Sequence, residues 1–200
     1  MVAAMASARR RVLYEELRKL PEHLVAEIID GELITSPRPA SPHAFASSII
    51  GGELIGQFGR PPGGAGAPGG WWILFEPELH LDEDVLVPDM AGWRHTSMPV
   101  VPNVAAFTQA PDWVCEVVSP STGALDRGRK MRIYARERVG HLWIVDPILH
   151  TLEVYRLETE RWVVASAHGG TDSVRAEPFD AVELALDRWW LPVLSEARSA

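Results

Sequence analysis

A chain of 200 residues with 46% hydrophobic and 23% charged residues suits a single folded domain, 1–200, with a core of ordinary size. Its net charge of −8 argues against tight non-specific nucleic-acid binding, because neutralising phosphates takes surplus lysine and arginine. It holds no apolar run of about 18 residues that would span a membrane, and the charges of MVAAMASARRR follow a small-residue stretch, the wrong order for a secretory signal.

A cytoplasmic protein is therefore expected. The lone Cys115, inside the apolar string WVCEVV, reads as a buried thiol and can form neither an internal disulfide nor a cysteine metal site. Basic residues cluster at Arg9 to Arg11 and again at Arg127, Arg129, Lys130, Arg132, Arg136 and Arg138, so a local basic face on an acidic protein is conceivable.

In chain order, RVLYEELRKL predicts a helix stopped by Pro21. AEIIDGELIT predicts a hairpin turning at Asp30-Gly31, because both turn positions need positive φ. Ser41-Pro42 is expected to open a second helix, serine capping it and Pro42 in its first turn. Phe45, Ile49, Ile50, Leu54, Ile55 and Phe58 then form its apolar stripe. GRPPGGAGAPGG, residues 59–70, reads as a mobile surface loop inside the domain.

Strands are expected in WWILFEPELHL, VLVPDMAGW and DWVCEVVS, and then a helix from Asp126 to Arg138 ended by Gly140. HLWIVD, TLEVYRL, RWVVASAH and AVELAL complete the strands. The result is an α+β fold, a mixed and largely antiparallel sheet with helices packed on it, its core spanning about residues 12–190. The eight tryptophans read as core and rim packing.

Two carboxylates sit inside otherwise apolar strands, Asp89 in VLVPDMAGW and Glu116 in WVCEVVS. Such a group costs several kcal/mol to bury unless it is paired or binds a cation. Two of them could converge on magnesium, which takes one or two carboxylates plus water and substrate phosphate. In DRGRKMRIYA, Asp126, Lys130 and Tyr134 fall four apart, on one helical face. From there Lys130 could reach the carboxylates, although the same spacing also suits a solvated helix with an Asp126–Lys130 pair. Glu76 could join the acidic cluster or sit at a surface edge. No HExxH spacing, phosphate loop or GxSxG elbow appears.

The order of these pieces carries a resemblance. Pro88-Asp89, then EVVSPST at 116–122, then D-x-x-x-K-x-x-x-Y at 126–134, then HLWIVDP at 141–147 resemble the Uma-type family of restriction endonucleases, within the PD-(D/E)XK nuclease superfamily. EIIDGEL at 27–33, Pro42-His43 and AVELALDRWW match the same pattern.

The resemblance implies a restriction-endonuclease-like core with the site at one end of the sheet, and DNA as substrate. It implies Mg²⁺, or Mn²⁺ in its place, held by Asp89, Glu116 and the backbone carbonyl of Val117. The signature expects lysine two residues after the glutamate, where this chain has Val118, and Lys130 on the next helix is the migrated counterpart. Glu27 and His43 match supporting positions, against the alternatives of an exposed strand residue and a solvent-facing first-turn residue. Cutting both strands of a duplex would suit a homodimer. Two further classes fit the same residues: a non-catalytic module that keeps the fold for binding or assembly, and a metal-dependent hydrolase of another phosphoester.

Overall fold

The structure, a computed structural model, describes residues 2–21, 23–61 and 68–192, with side chains described from residue 10 onward. The middle of the predicted loop, 62–67, and the C-terminal tail from 193 lie outside the described residues. Helix α1 (Val2–Leu17) leads to the hairpin of β1 (Leu24–Ile29) and β2 (Glu32–Pro37). Asp30 and Gly31 form its two-residue turn at φ 52° and 75°, the conformation a right-handed twisted hairpin requires.

Helix α2 (Ser41–Phe58) buries Ala46, Ile50, Leu54 and Phe58, a four-residue spacing. The expected stripe is narrower than predicted: Ile55 lies nearly half a turn from Ile50 and stays 38% exposed. Ser41 is the first helical residue and not the cap. Ala40 holds the cap position in extended conformation without a side-chain bond. Gly51 is required by a close approach, because a Cβ there would meet the Phe75 ring at 2.0 Å.

The next strands are β3 (Trp71–Phe75), β4 (Leu79–Leu81), β5 (Asp84–Leu86) and β6 (Met90–Arg94). The predicted strands WWILFEPELHL and VLVPDMAGW each divide between two sheets. One is antiparallel in the order β2-β1-β5-β4. The other contains β7 (Trp113–Val117), β8 (His141–Asp146), β9 (Thr151–Glu158) and β10 (Arg161–Gly169), ordered β10-β9-β8-β7-β6-β3. All its pairings are antiparallel except β7 with β8.

That parallel pair needs a crossover, supplied by α3 (Gly123–Leu125), a π-helical turn (Asp126–Lys130) and α4 (Met131–Arg136). Gly140 does not end this helix. Arg138 does, at φ 64°, as its N–H bonds Ala135 and that of Val139 bonds Tyr134, the paired bonds of a Schellman stop. β10, the sheet edge, carries a bulge between Val164 and Ser166. Within AVELAL only β12 (Leu184–Ala185) is a strand, pairing β11 (Ser173–Val174) before a 3-10 turn (Leu186–Trp189) carries Trp189 back onto the core.

The six-stranded sheet has two unlike faces. α2 and the C-terminal segment cover one, with Trp71, Trp113, Trp143, Phe179 and Trp189 packed edge to face, tilted or, for Trp143 on Trp189, stacked, at centroid distances of 4.8–6.1 Å. The four-stranded sheet and α4 cover the other, through Leu79, Leu86, Val114, Ile133 and Leu142. Strand alternation divides β7 between them: Trp113, Cys115 and Val117 face the aromatic side, while Val114 and Glu116 face the second. Among the described residues no helix is long and apolar enough to cross a membrane.

Candidate active site

The site forms where the two sheets meet. Pro88 offers no N–H to a ladder, and the chain passes there from β5 in one sheet to β6 in the other, leaving Asp89 at the crossing. Asp89 Oδ2 accepts the Val117 N–H at 2.7 Å, which ties it to the end of β7, and Oδ1 lies 3.0 Å from His43 Nε2 in the first turn of α2.

Glu116 reaches into the gap from β7, only 2% exposed. Its Oε1 accepts both the Tyr134 hydroxyl at 2.6 Å and the Lys130 ammonium at 2.8 Å. Two donors on one oxygen fix the carboxylate plane and leave Oε2 out of that pairing.

Lys130 joins the sheets. Its Nζ also lies 3.1 Å from Glu27 Oε1, on β1 of the smaller sheet, and 3.5 Å from Asp126 Oδ1. Glu27 Oε1 further accepts the Val87 N–H at 2.8 Å. Lys130 is thus neither a solvated helix residue nor a simple Asp–Lys pair; it is 3% exposed and surrounded by three carboxylates. For Glu27 and His43 the structure departs from the alternatives of an exposed strand residue and a solvent-facing first-turn residue: Glu27 is buried, and the His43 side chain is 11% exposed, against Asp89.

Electrostatics follow from this burial. Desolvation pushes Glu116 well above the usual carboxylate range, with Lys130 opposing it. Burial also raises Asp126 and holds the Tyr134 phenol well above its ordinary value. Burial alone would lower Lys130, but Glu116 and Glu27 outweigh it and hold the ammonium well above the ordinary lysine value.

Asp89, Glu116, Lys130, Glu27 and His43 all line one cleft of about 310 Å³, with Val117, Asp126 and the Ser119–Thr122 loop. Glu76 stands at its rim, partly exposed and paired to Arg38 at 3.1 Å. Among the described residues, no three His, Cys, Asp or Glu side chains converge as a complete ion cage. The donor set nevertheless fits a hard cation bound in magnesium's manner, by one or two carboxylates with the rest water and phosphate. Asp89 and Glu116 supply hard oxygens beside the Val117 backbone, and of the four acids lining the cleft near them, Glu27, Glu116 and Asp126 face the buried Lys130 while Asp89 faces His43.

Sequence reasoning missed the π-helical turn, which carries Asp126 and Lys130; such turns recur at functional sites. It also missed the fate of the arginines. Arg127 pairs with Glu153, Arg129 with Asp30 and Glu32, Arg136 with Asp84, and Arg138 with Glu160. Arg132 lies 3.8 Å from Asp30. Among the described residues, the arginines of this segment, 127–138, are thus each matched by a carboxylate.

Set beside solved structures, this architecture is similar to the crystal structure of "a putative nuclease belonging to DUF820" from Anabaena variabilis ATCC 29413. The TM-score is 0.71 at 20% identity, over 88% of this chain and 96% of that one. The fold is thus an α+β, restriction-endonuclease-like one. Residues 14–187 match the Uma2 family, described as "Putative restriction endonuclease", and the chain belongs to that family. No curated protein matches it.

Proposed function

We propose that this chain is a metal-dependent endonuclease that hydrolyses DNA phosphodiester bonds in the cytoplasm. The observation that carries the reading is the meeting of Asp89 and Glu116 at one end of adjoining strands, in a cleft with surplus carboxylate, on a nuclease-family scaffold. Asp89, Glu116 and the Val117 carbonyl would hold Mg²⁺ or Mn²⁺, which supplies positive charge against the scissile phosphate.

The chain's own residues do the rest. Tyr134 and Lys130 orient Glu116 through Oε1. Lys130, enclosed by Glu27, Glu116 and Asp126, contributes positive charge beside Glu116 and is too buried to reach a substrate water directly. His43 orients Asp89 from the opposite side, and Glu27 holds Lys130 in place.

Calorimetry with Mn²⁺ tests the site directly. The wild type should bind, and Asp89→Asn or Glu116→Gln should bind at least tenfold more weakly, about 1.4 kcal/mol, and lose plasmid nicking. Nicking that survives in both variants would defeat the assignment. One observation favours a second reading, a binding or assembly module without chemistry: both Asp89 oxygens and Glu116 Oε1 are already bonded within the protein, and Val118 stands where the signature has lysine. That reading requires no Mn²⁺ binding in the wild type.

A further inference from the structure

A phosphodiester must be met by positive charge, and the cleft offers little of it on its surface. Of the described lining residues, the permanent cations are Lys130 and Arg38. Lys130 is buried beneath Glu27, Glu116 and Asp126, so it acts through them. The arginines of the π-helical turn and α4 do not line the cleft and are matched by carboxylates elsewhere.

Arg38 differs in place: it lines the cleft itself, and so does the carboxylate it pairs with, Glu76. The Arg38 side chain is 54% exposed. It stands between Pro37 and Pro39, whose fixed φ stiffens the chain leading from β2 into α2. Its contact with Glu76 is an exposed ion pair, a kind that contributes little and yields readily to a competing anion. Glu76 is itself held in place: its backbone takes φ 44°, and its N–H bonds the Asp89 carbonyl at 3.1 Å.

The pair also has a position that matters. Arg38 and Glu76 line both the main cleft and a second groove of about 220 Å³ that runs under the end of α1, past Leu17, Leu20 and Glu78. With Val25 and Val87 they make up the wall that the two share, so the pair stands on the side of the cleft that faces the second groove.

We infer that Arg38 is the residue that receives the phosphate backbone of the nucleic acid at the mouth of the cleft, with Glu76 as the internal anion that holds its place until substrate arrives. The inference rests on the nuclease reading above. It gives Glu76 an opposing role: as a carboxylate at the rim it competes with phosphate for Arg38 and repels the strand.

Anisotropy of a short labelled DNA duplex, titrated across salt concentrations in Ca²⁺, tests this alongside Mn²⁺ calorimetry on the same proteins. Arg38→Ala should weaken binding and lower the log-log salt slope by about 0.9, the loss of one phosphate contact. Arg38→Lys should keep most of the slope. Glu76→Gln should bind DNA several-fold more tightly than the wild type. All three should bind Mn²⁺ as the wild type does. An unchanged salt slope in Arg38→Ala, or weaker binding in Glu76→Gln, overturns the inference and leaves the metal site standing. A wild type that binds Mn²⁺ but no DNA overturns the DNA reading, and this inference with it.

Discussion

The two faces of the six-stranded sheet are both buried, yet they are held by opposite chemistry. On one, Trp113, Trp143, Phe179 and Trp189 fill space with aromatic rings and need nothing from one another but shape. On the other, Glu116, Lys130, Glu27 and Asp126 are charged groups whose burial is tolerable only because each answers another. A single strand, β7, serves both: Cys115 and Val117 point one way, Glu116 the other. The lesson is that stability and chemistry here occupy alternate residues, so they can be separated by substitution.

The largest effect should come from unbalancing the charged face. Lys130→Ala leaves three buried carboxylates without their cation and should lower unfolding stability by about 3–5 kcal/mol in urea titration. Neutralising the whole cluster, with Lys130→Met, Glu27→Gln, Glu116→Gln and Asp126→Asn together, should recover most of that loss while the change at Glu116 weakens Mn²⁺ binding. If the fourfold variant is less stable than Lys130→Ala alone, the cluster is a structural necessity and the comparison fails.

Leu54→Ala on the aromatic face should cost about 2–5 kcal/mol by leaving a cavity under α2. Its Mn²⁺ affinity, measured by calorimetry below the unfolding transition, should match the wild type. A parallel fall in affinity would mean the faces are coupled through the sheet. Tyr134→Phe is the mildest of the three, removing one bond to a charged partner for about 1.5–3 kcal/mol. With Lys130 alone orienting Glu116, Mn²⁺ should bind more weakly than in the wild type, and equal affinity would deny Tyr134 any part in placing the carboxylate.

What the sequence disclosed follows the reach of each rule. Asp30-Gly31 is legible because a two-residue hairpin is a local requirement on φ. Glu116 is legible because a carboxylate among Cys115, Val117 and Val118 contradicts its surroundings and so calls for a partner. The identity of that partner is not local. Four-residue spacing puts Lys130 and Tyr134 on one helical face, but only the family resemblance assigns Lys130 to the carboxylates, and no periodicity indicates that a π-helical turn carries it. The pairing of Arg129 with Asp30 joins residues 99 apart in the chain, so the arginine cluster reads as a bare basic patch until the fold supplies its acids. The split of VLVPDMAGW between two sheets was announced only by Pro88, and a proline marks a break without saying where the chain goes next.

The far edge of the main sheet has a consequence for how the protein behaves in concentrated solution. β10 is nine residues long and shows solvent Val163 and Val164, 40% and 56% exposed, with no charged residue from Trp162 to Gly169 to discourage a neighbour. Such an edge invites a second strand to add to it and begin an aggregate. The bulge that follows Val164 breaks the ladder's even spacing at the middle of the strand. Colloidal stability is thus guarded by one irregular residue, Ala165, three strands away from Glu116 on β7.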